Sequence, residues 1–133
     1  MYRFLFLLIS LAHFSQAHAA PNVSARDFST MLPVSTPSLT PGEVHKRPLK
    51  QTIRQPLFIV GADPMSHRWL KRHRDYLARI KAKGIVVDVR TVSQLQALMN
   101  YDLPMYPIQG HEFADIFSIT HYPVLLHEGE LKQ

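Results

Sequence analysis

Residues 56–133 predict an α/β fold, and three observations carry that prediction. Leu57-Phe58-Ile59-Val60 and Ile85-Val86-Val87-Asp88-Val89 are continuous or near-continuous apolar runs of strand length. Such runs mark strands buried on both faces. Between them lies a stretch with helical periodicity and its own start signal, so strand, helix and strand form a βαβ unit with parallel pairing. A third apolar run, Tyr122-Pro123-Val124-Leu125-Leu126, supplies a further strand near the end of the 133-residue chain.

Each element has a local cause. Gly61 stops the first strand, and Asp63-Pro64 offers an N-cap followed by proline at the first helical position, with Ser66 a rival cap. The helix is expected to run to about Lys83 and to end at Gly84, a residue that tolerates the left-handed C-terminal conformation. Trp69, Leu70, His73, Tyr76, Leu77 and Ile80 form one stripe about 120° wide, and Arg68, Lys71, Arg72, Arg74, Arg79, Lys81 and Lys83 occupy the remainder. Ser93 is expected to cap a short helix carrying Leu95, Leu98 and Met99. Leu103 to Ile108, interrupted by Pro104 and Pro107, suits only an edge strand or extended loop. A last helix, from Glu112 to about Ser118, is expected to bury Phe113, Ile116 and Phe117. Glu128-Gly129-Glu130 makes the final turn.

The first 55 residues have a different character. Residues 1–19 read as a secretory signal: Arg3, the apolar run Phe4 to Ile9, and the small-residue exit Ala17-His18-Ala19. The cut is placed after Ala19, because one residue later Pro21 would abut the scissile bond. A membrane anchor is the competing reading, but the apolar stretch falls short of the roughly 20 residues a spanning helix needs. Residues 20–55 read as a Pro-rich arm or linker. Pro21 to Pro56 holds six of the ten prolines, which disfavours helix and favours extended chain. Composition favours a disordered tether over an arm that orders on a partner.

Composition also narrows the chemistry. The formal net charge is +5, and loss of Arg3 with the signal lowers it by one. Mild basicity does not choose between acidic proteins, lipid and DNA. The absence of cysteine removes thiol redox chemistry, cysteine nucleophiles and thiolate metal sites together, and leaves the fold without disulfides.

The order of elements resembles the thioredoxin-like fold, a three-layer α/β sandwich. The match is carried by Phe117-Ser118-Ile119-Thr120-His121-Tyr122-Pro123-Val124-Leu125-Leu126, similar to the segment where a strand begins after a cis-proline. In that fold the proline faces a redox Cys-x-x-Cys. The corresponding stretch here, Gly61 to Trp69, has no sulfur nucleophile, so the resemblance implies the shape without the redox activity.

A tighter resemblance rests on Leu57 to Leu70, which is similar to the opening of a family of small exported proteins of integrating conjugative elements, read there much like VGDDPxSxxWL. Gly84-Ile85-Val86-Val87 matches their GxVV strand, Pro107-Ile108-Gln109-Gly110 loosely their PVxG turn, and His121-Tyr122-Pro123-Val124-Leu125 their HYPVL ending. Ala62 stands where an acidic residue is usual, and His111 where a helix-capping Asp is usual. These proteins look like relatives of the thioredoxin-like pilin-assembly factors of F-type conjugation systems. The resemblance implies a periplasmic, non-enzymatic assembly or scaffold component of a type IV secretion-like conjugation apparatus, with protein partners and no cofactor.

The residues support other readings less well. His67 and His73 are six apart on one helix and diverge, and His121 and His127 are six apart beside a strand, so a metal site would need tertiary convergence. The basic helix face lacks interleaved aromatics for stacking bases, and Asp75 sits four residues from both Lys71 and Arg79, which predicts ordinary solvent-face pairing. Trp69 and Tyr76 read as core, Asp63 as a cap, and Asp88 as a lone strand-end carboxylate. No catalytic residue is assigned. The candidate partner groove comprises Asp63, Pro64, His121, Tyr122 and Pro123, where a cis Tyr122–Pro123 bond is expected and an extended peptide could add by edge pairing. A structural turn is the bland alternative at Pro123. From another class, a periplasmic chaperone or adaptor would grip extended peptide at that groove. An enzyme built on distant histidines ranks last.

Overall fold

The computed structural model describes residues 23–133. The signal reading over residues 1–19 and its cut after Ala19 lie outside the described residues.

The chain builds a mixed α/β domain. Strands β1 (Thr40–Pro41) and β2 (Arg47–Pro48) lie in the arm, after a 3-10 helix at Ala25–Met31. They are followed by β3 (Leu57–Gly61), α1 (Pro64–Arg79), β4 (Lys83–Asp88), α2 (Val92–Met99) and β5 (Met105–Pro107). The chain closes with α3 (His111–Phe117), β6 (His121–Tyr122), β7 (Val124–His127) and β8 (Glu130–Lys132). Six strands form one sheet in the order β2-β8-β7-β3-β4-β5, and β1 pairs with β6 in a separate two-stranded sheet. β3, β4 and β5 run parallel, while β7 joins β3 antiparallel, with Ile59 opposite Val124.

Alternation along the strands divides the core between two faces. Phe58, Val60 and Val86 point to the face covered by Leu70 and Leu77 of α1 and by Leu95 and Leu98 of α2. Ile59, Ile85, Val87, Val124 and Leu126 point to the other, covered by Ala114 and Phe117 of α3 and by Leu39 of the arm. Helices therefore flank the sheet on both sides.

Asp63 caps α1 as expected, accepting a bond from Ser66 N at 2.9 Å with Pro64 beside it. The other boundaries differ in instructive ways. α1 ends at Arg79, and the reversal is taken by Lys81 in the left-handed region (φ 56°). Gly84 is no helix terminator; it sits inside β4 with the Phe58 ring packed onto its Cα. Thr91, not Ser93, caps α2 by accepting from Gln94 N at 3.1 Å. Ile116 is 52% exposed, because its face of α3 looks outward, while Phe117 is buried and Phe113 half-buried. The final apolar run is two strands rather than one, since Pro123 interrupts it. The edge-strand reading of Leu103–Ile108 narrows to Met105–Pro107. Glu128 and Gly129, both at positive φ, turn β7 into β8.

The largest difference concerns the arm. Composition favours a tether, yet from Ser24 onward the segment packs on the domain, with Ala25, Val34, Thr36 and Leu39 all buried. Val34 exchanges two backbone bonds with Val89 (2.8 and 3.0 Å). Thr36 Oγ1 donates to Val87 O at 2.8 Å and accepts from Gly110 N at 2.9 Å. The apolar residues are too sparse to show a period, but Ala25 and Phe28 pack against α2, and Val34 and Leu39 cover the two faces of the sheet.

Candidate functional site

Pro123 sits at the junction of β6 and β7, buried, with the Tyr122–Pro123 bond cis. The residues predicted to line a groove there have distinct fates. Asp63 directs its carboxylate inward, accepting from Ser66 Oγ at 2.6 Å as well as from its backbone N–H. Pro64 is exposed at the start of α1. Tyr122 is 1% exposed, and its hydroxyl lies 3.5 Å from Asp88 Oδ2. Burial raises the Tyr122 phenol well above its usual range, and the Asp88 and Asp63 carboxylates push the same way. It is a neutral core side chain at any ordinary pH. His121 alone of the aromatic pair faces the surface region, half-buried.

The edge expected to stand open beside Pro123 is occupied by the chain itself. β1 runs parallel to β6, pairing Thr40 with His121 and Pro41 with Tyr122. Thr40 N donates to Thr120 O and Gly42 N to Tyr122 O, both at 3.1 Å. Gln133 Nε2 ties the two segments together, donating to Gly42 O at 2.8 Å and to Pro123 O at 2.9 Å. Thr40 Oγ1 lies 3.1 Å from His121 Nδ1. Asp63 and Pro64 at the start of α1 and the His121–Pro123 segment lie at one end of the sheet. Thr40, Gly42 and Gln133 join them there; the turn-like Thr40-Pro41-Gly42 composition was a sequence signal for the first two, and Gln133 had none.

A cleft of about 470 Å³ flanks this contact, walled by Glu43 to His45 and Arg47 on the arm side and by Ser118 to His121 opposite. Arg47, one of its lining residues, donates to the Phe117 and Ser118 carbonyls at the end of α3. On the other side of Pro123, a smaller cleft of about 240 Å³ lies against α1, lined by Met65, Arg68, Arg72 and His73. Desolvation lowers the His73 pKa, and the neighbouring Arg72 charge adds to the effect. Trp69, in tilted contact with the Phe58 and His73 rings, keeps its indole N–H buried without a hydrogen-bond partner among the described residues.

The remaining histidines are dispersed. His67 Nδ1 lies 2.8 Å from Tyr101 Oη, His111 Nδ1 2.9 Å from Ser38 Oγ, and His127 Nε2 3.4 Å from Glu128. Among the described residues no group of three or more His, Asp or Glu side chains is placed to hold a metal ion. On the basic face of α1, Asp75 pairs with adjacent Arg74 at 3.1 Å rather than with Lys71 or Arg79. Arg79 instead lies over the Tyr76 ring, 5.4 Å from its centroid. Since Asp75 is 94% exposed, that pair adds little stability. No described helix is long and apolar enough to cross a membrane.

Residues 11–131 match the family described as "Protein of unknown function (DUF2859)". No curated protein and no solved structure matches the chain.

Proposed function

The chain belongs to the DUF2859 family, and we propose that it acts without catalysis, as an exported assembly or scaffold component of a conjugative DNA-transfer apparatus. The apparatus is of the type IV secretion-like kind carried by integrating conjugative elements. Its partners on this reading are protein components of that machinery rather than nucleic acid, met in the periplasm.

The observation that carries an interaction role is the main-chain pairing at Thr120–Tyr122, where an extended segment is held by backbone bonds. Such bonds hold any extended chain, and side-chain pockets then choose among sequences. The conjugative setting is supported by the VGADPMSHRWL-type opening and the HYPVL ending noted above. A thioredoxin-like layout is supported by the parallel β3–α1–β4 unit, by β7 entering antiparallel through Pro123, and by helices on both faces.

The test is deletion of the gene in a donor strain carrying the element, followed by mating. Mating frequency should fall by orders of magnitude and return on complementation. Unchanged frequency would remove the transfer role. A second reading, a periplasmic chaperone or adaptor for extended peptides, draws on the same pairing. It predicts defects in the folding of unrelated exported proteins, which the transfer role does not.

A further inference from the structure

β1 is only two residues long, yet each of its positions is met by a specific group. Thr40 is bound twice, through its N–H to Thr120 O and through its hydroxyl to His121 Nδ1. Pro41 falls between the two donating residues, where no N–H is required. Gly42 is the most constrained. A Cβ there would stand 2.7 Å from His121 Nδ1 and 2.8 Å from His121 Cγ, and Cγ is the root of the ring, so a small rotation cannot clear it. Gln133 then reads the Gly42 carbonyl. Together these contacts select a threonine, a residue that need not donate, and a glycine.

The attachment is also short. Between Gly42 and Lys46, and again from Lys50 to Pro56, the arm has no helix or strand. On its N-terminal side the ladder adjoins buried Leu39 and the Thr36 bonds, so it opens from its C-terminal side, where the irregular stretch lets Gly42 and then Thr40 lift at lower cost than the central sheet.

We infer that the face formed by Thr120–Tyr122 and Gln133 is a binding site for extended segments of Thr-x-Gly pattern, with the chain's own Thr40–Gly42 as its resident occupant. A partner segment of that chemistry enters by displacing the arm. This rests on the non-catalytic interaction role above, and adds what the site selects and what guards it. Because the arm is tethered, it competes at an effective concentration on the order of millimolar. Wild-type protein therefore captures a free peptide weakly, and anything that loosens the arm strengthens capture.

The experiment uses the full chain and a fluorescent peptide spanning residues 34–46, read by anisotropy. Gly42→Ala in the protein should tighten capture at least about tenfold by weakening the resident arm. The same change in the peptide should weaken capture by at least about tenfold, because the incoming Cβ meets His121. Thr40→Val in the protein removes the hydroxyl contact with His121 from the resident arm and leaves the receiving face intact, so it should likewise tighten capture of the wild-type peptide. Equal capture by wild-type protein and the loosened variants, equal capture of the two peptides, or no capture in any form would overturn the inference. Thr40→Val keeps the test decisive if Gly42→Ala does not fold. Failure here leaves the mating phenotype untouched, and an unchanged mating frequency leaves peptide capture untouched, so the two proposals fail separately.

Discussion

Gly84→Ala is the substitution whose cost the structure specifies most closely. Gly84 pairs with Phe58 of β3 on one side and with Met105 of the edge strand β5 on the other. A Cβ at this position would lie 2.2 Å from Phe58 Cε2 and 2.3 Å from Cζ. Phe58 is fully buried among Trp69, Leu70 and Val86, so its ring cannot swing away without displacing other core side chains. Overpacking of this kind costs about 1–3 kcal/mol, and a contact this short in a closed core belongs at the upper end, about 3 kcal/mol. For a domain of this size that lowers the melting temperature by roughly 10 °C. Urea unfolding should show the loss as a reduced midpoint with an unchanged slope. The cause is isolated by a double-mutant cycle. Phe58→Leu alone should cost about 1–2 kcal/mol. If the ring is the obstacle, the double variant should cost little more than Phe58→Leu, a coupling of about 2 kcal/mol. A helix-terminating glycine would behave otherwise: alanine would cost about 1 kcal/mol through backbone strain, and shrinking Phe58 would not relieve it. Additive costs in the cycle would therefore refute the packing argument.

Thr36→Val removes a buried hydroxyl that bridges Val87 O and Gly110 N, leaving the Gly110 N–H without that acceptor, and should cost about 2 kcal/mol by chemical denaturation while exposing the arm to protease. Ser66→Ala breaks both the bond from Gly61 N and the bond to Asp63 at the start of α1, and should cost about 2 kcal/mol in the same assay. Tyr122 has its pKa raised by folding, so its contribution is present below about pH 10 and is lost as pH rises beyond it. Alkaline unfolding curves should show that decline, and Tyr122→Phe should flatten it. His73 has its pKa lowered, so the folded state binds fewer protons than the unfolded chain just below 6.5. Stability should fall on acidification through that range, less steeply in His73→Gln.

Much of the α/β core was legible because its causes are local. Leu57–Val60 and Ile85–Val87 are apolar runs of strand length, and Asp63-Pro64 is a start signal whose cap bond is in place, with the rival Ser66 as its donor. Gly84 misled because a glycine after a helical stretch has two explanations, conformational need and close approach, and only the partner Phe58 across the sheet distinguishes them. Ile116 misled because the periodicity of a seven-residue helix barely fixes its inward face. The arm was illegible for a deeper reason. Val34, Thr36 and Leu39 earn their burial from surfaces more than fifty residues away, and no period within the arm encodes those distant gaps. The candidate site divides the same way. The segment around Pro123 carries a recognisable local pattern, while Thr40, Gly42 and Gln133 reach it only through tertiary pairing.

The two margins of the six-stranded sheet are β2 and β5, two and three residues long, and each carries a proline. A stranger's backbone finds almost no run of free donors and acceptors along either rim, which is how natural sheets keep copies of themselves from stacking into fibrils. The larger sheet thus offers a partner strand little at either rim, and on the inference above backbone pairing with another chain falls to the small ladder beside Pro123.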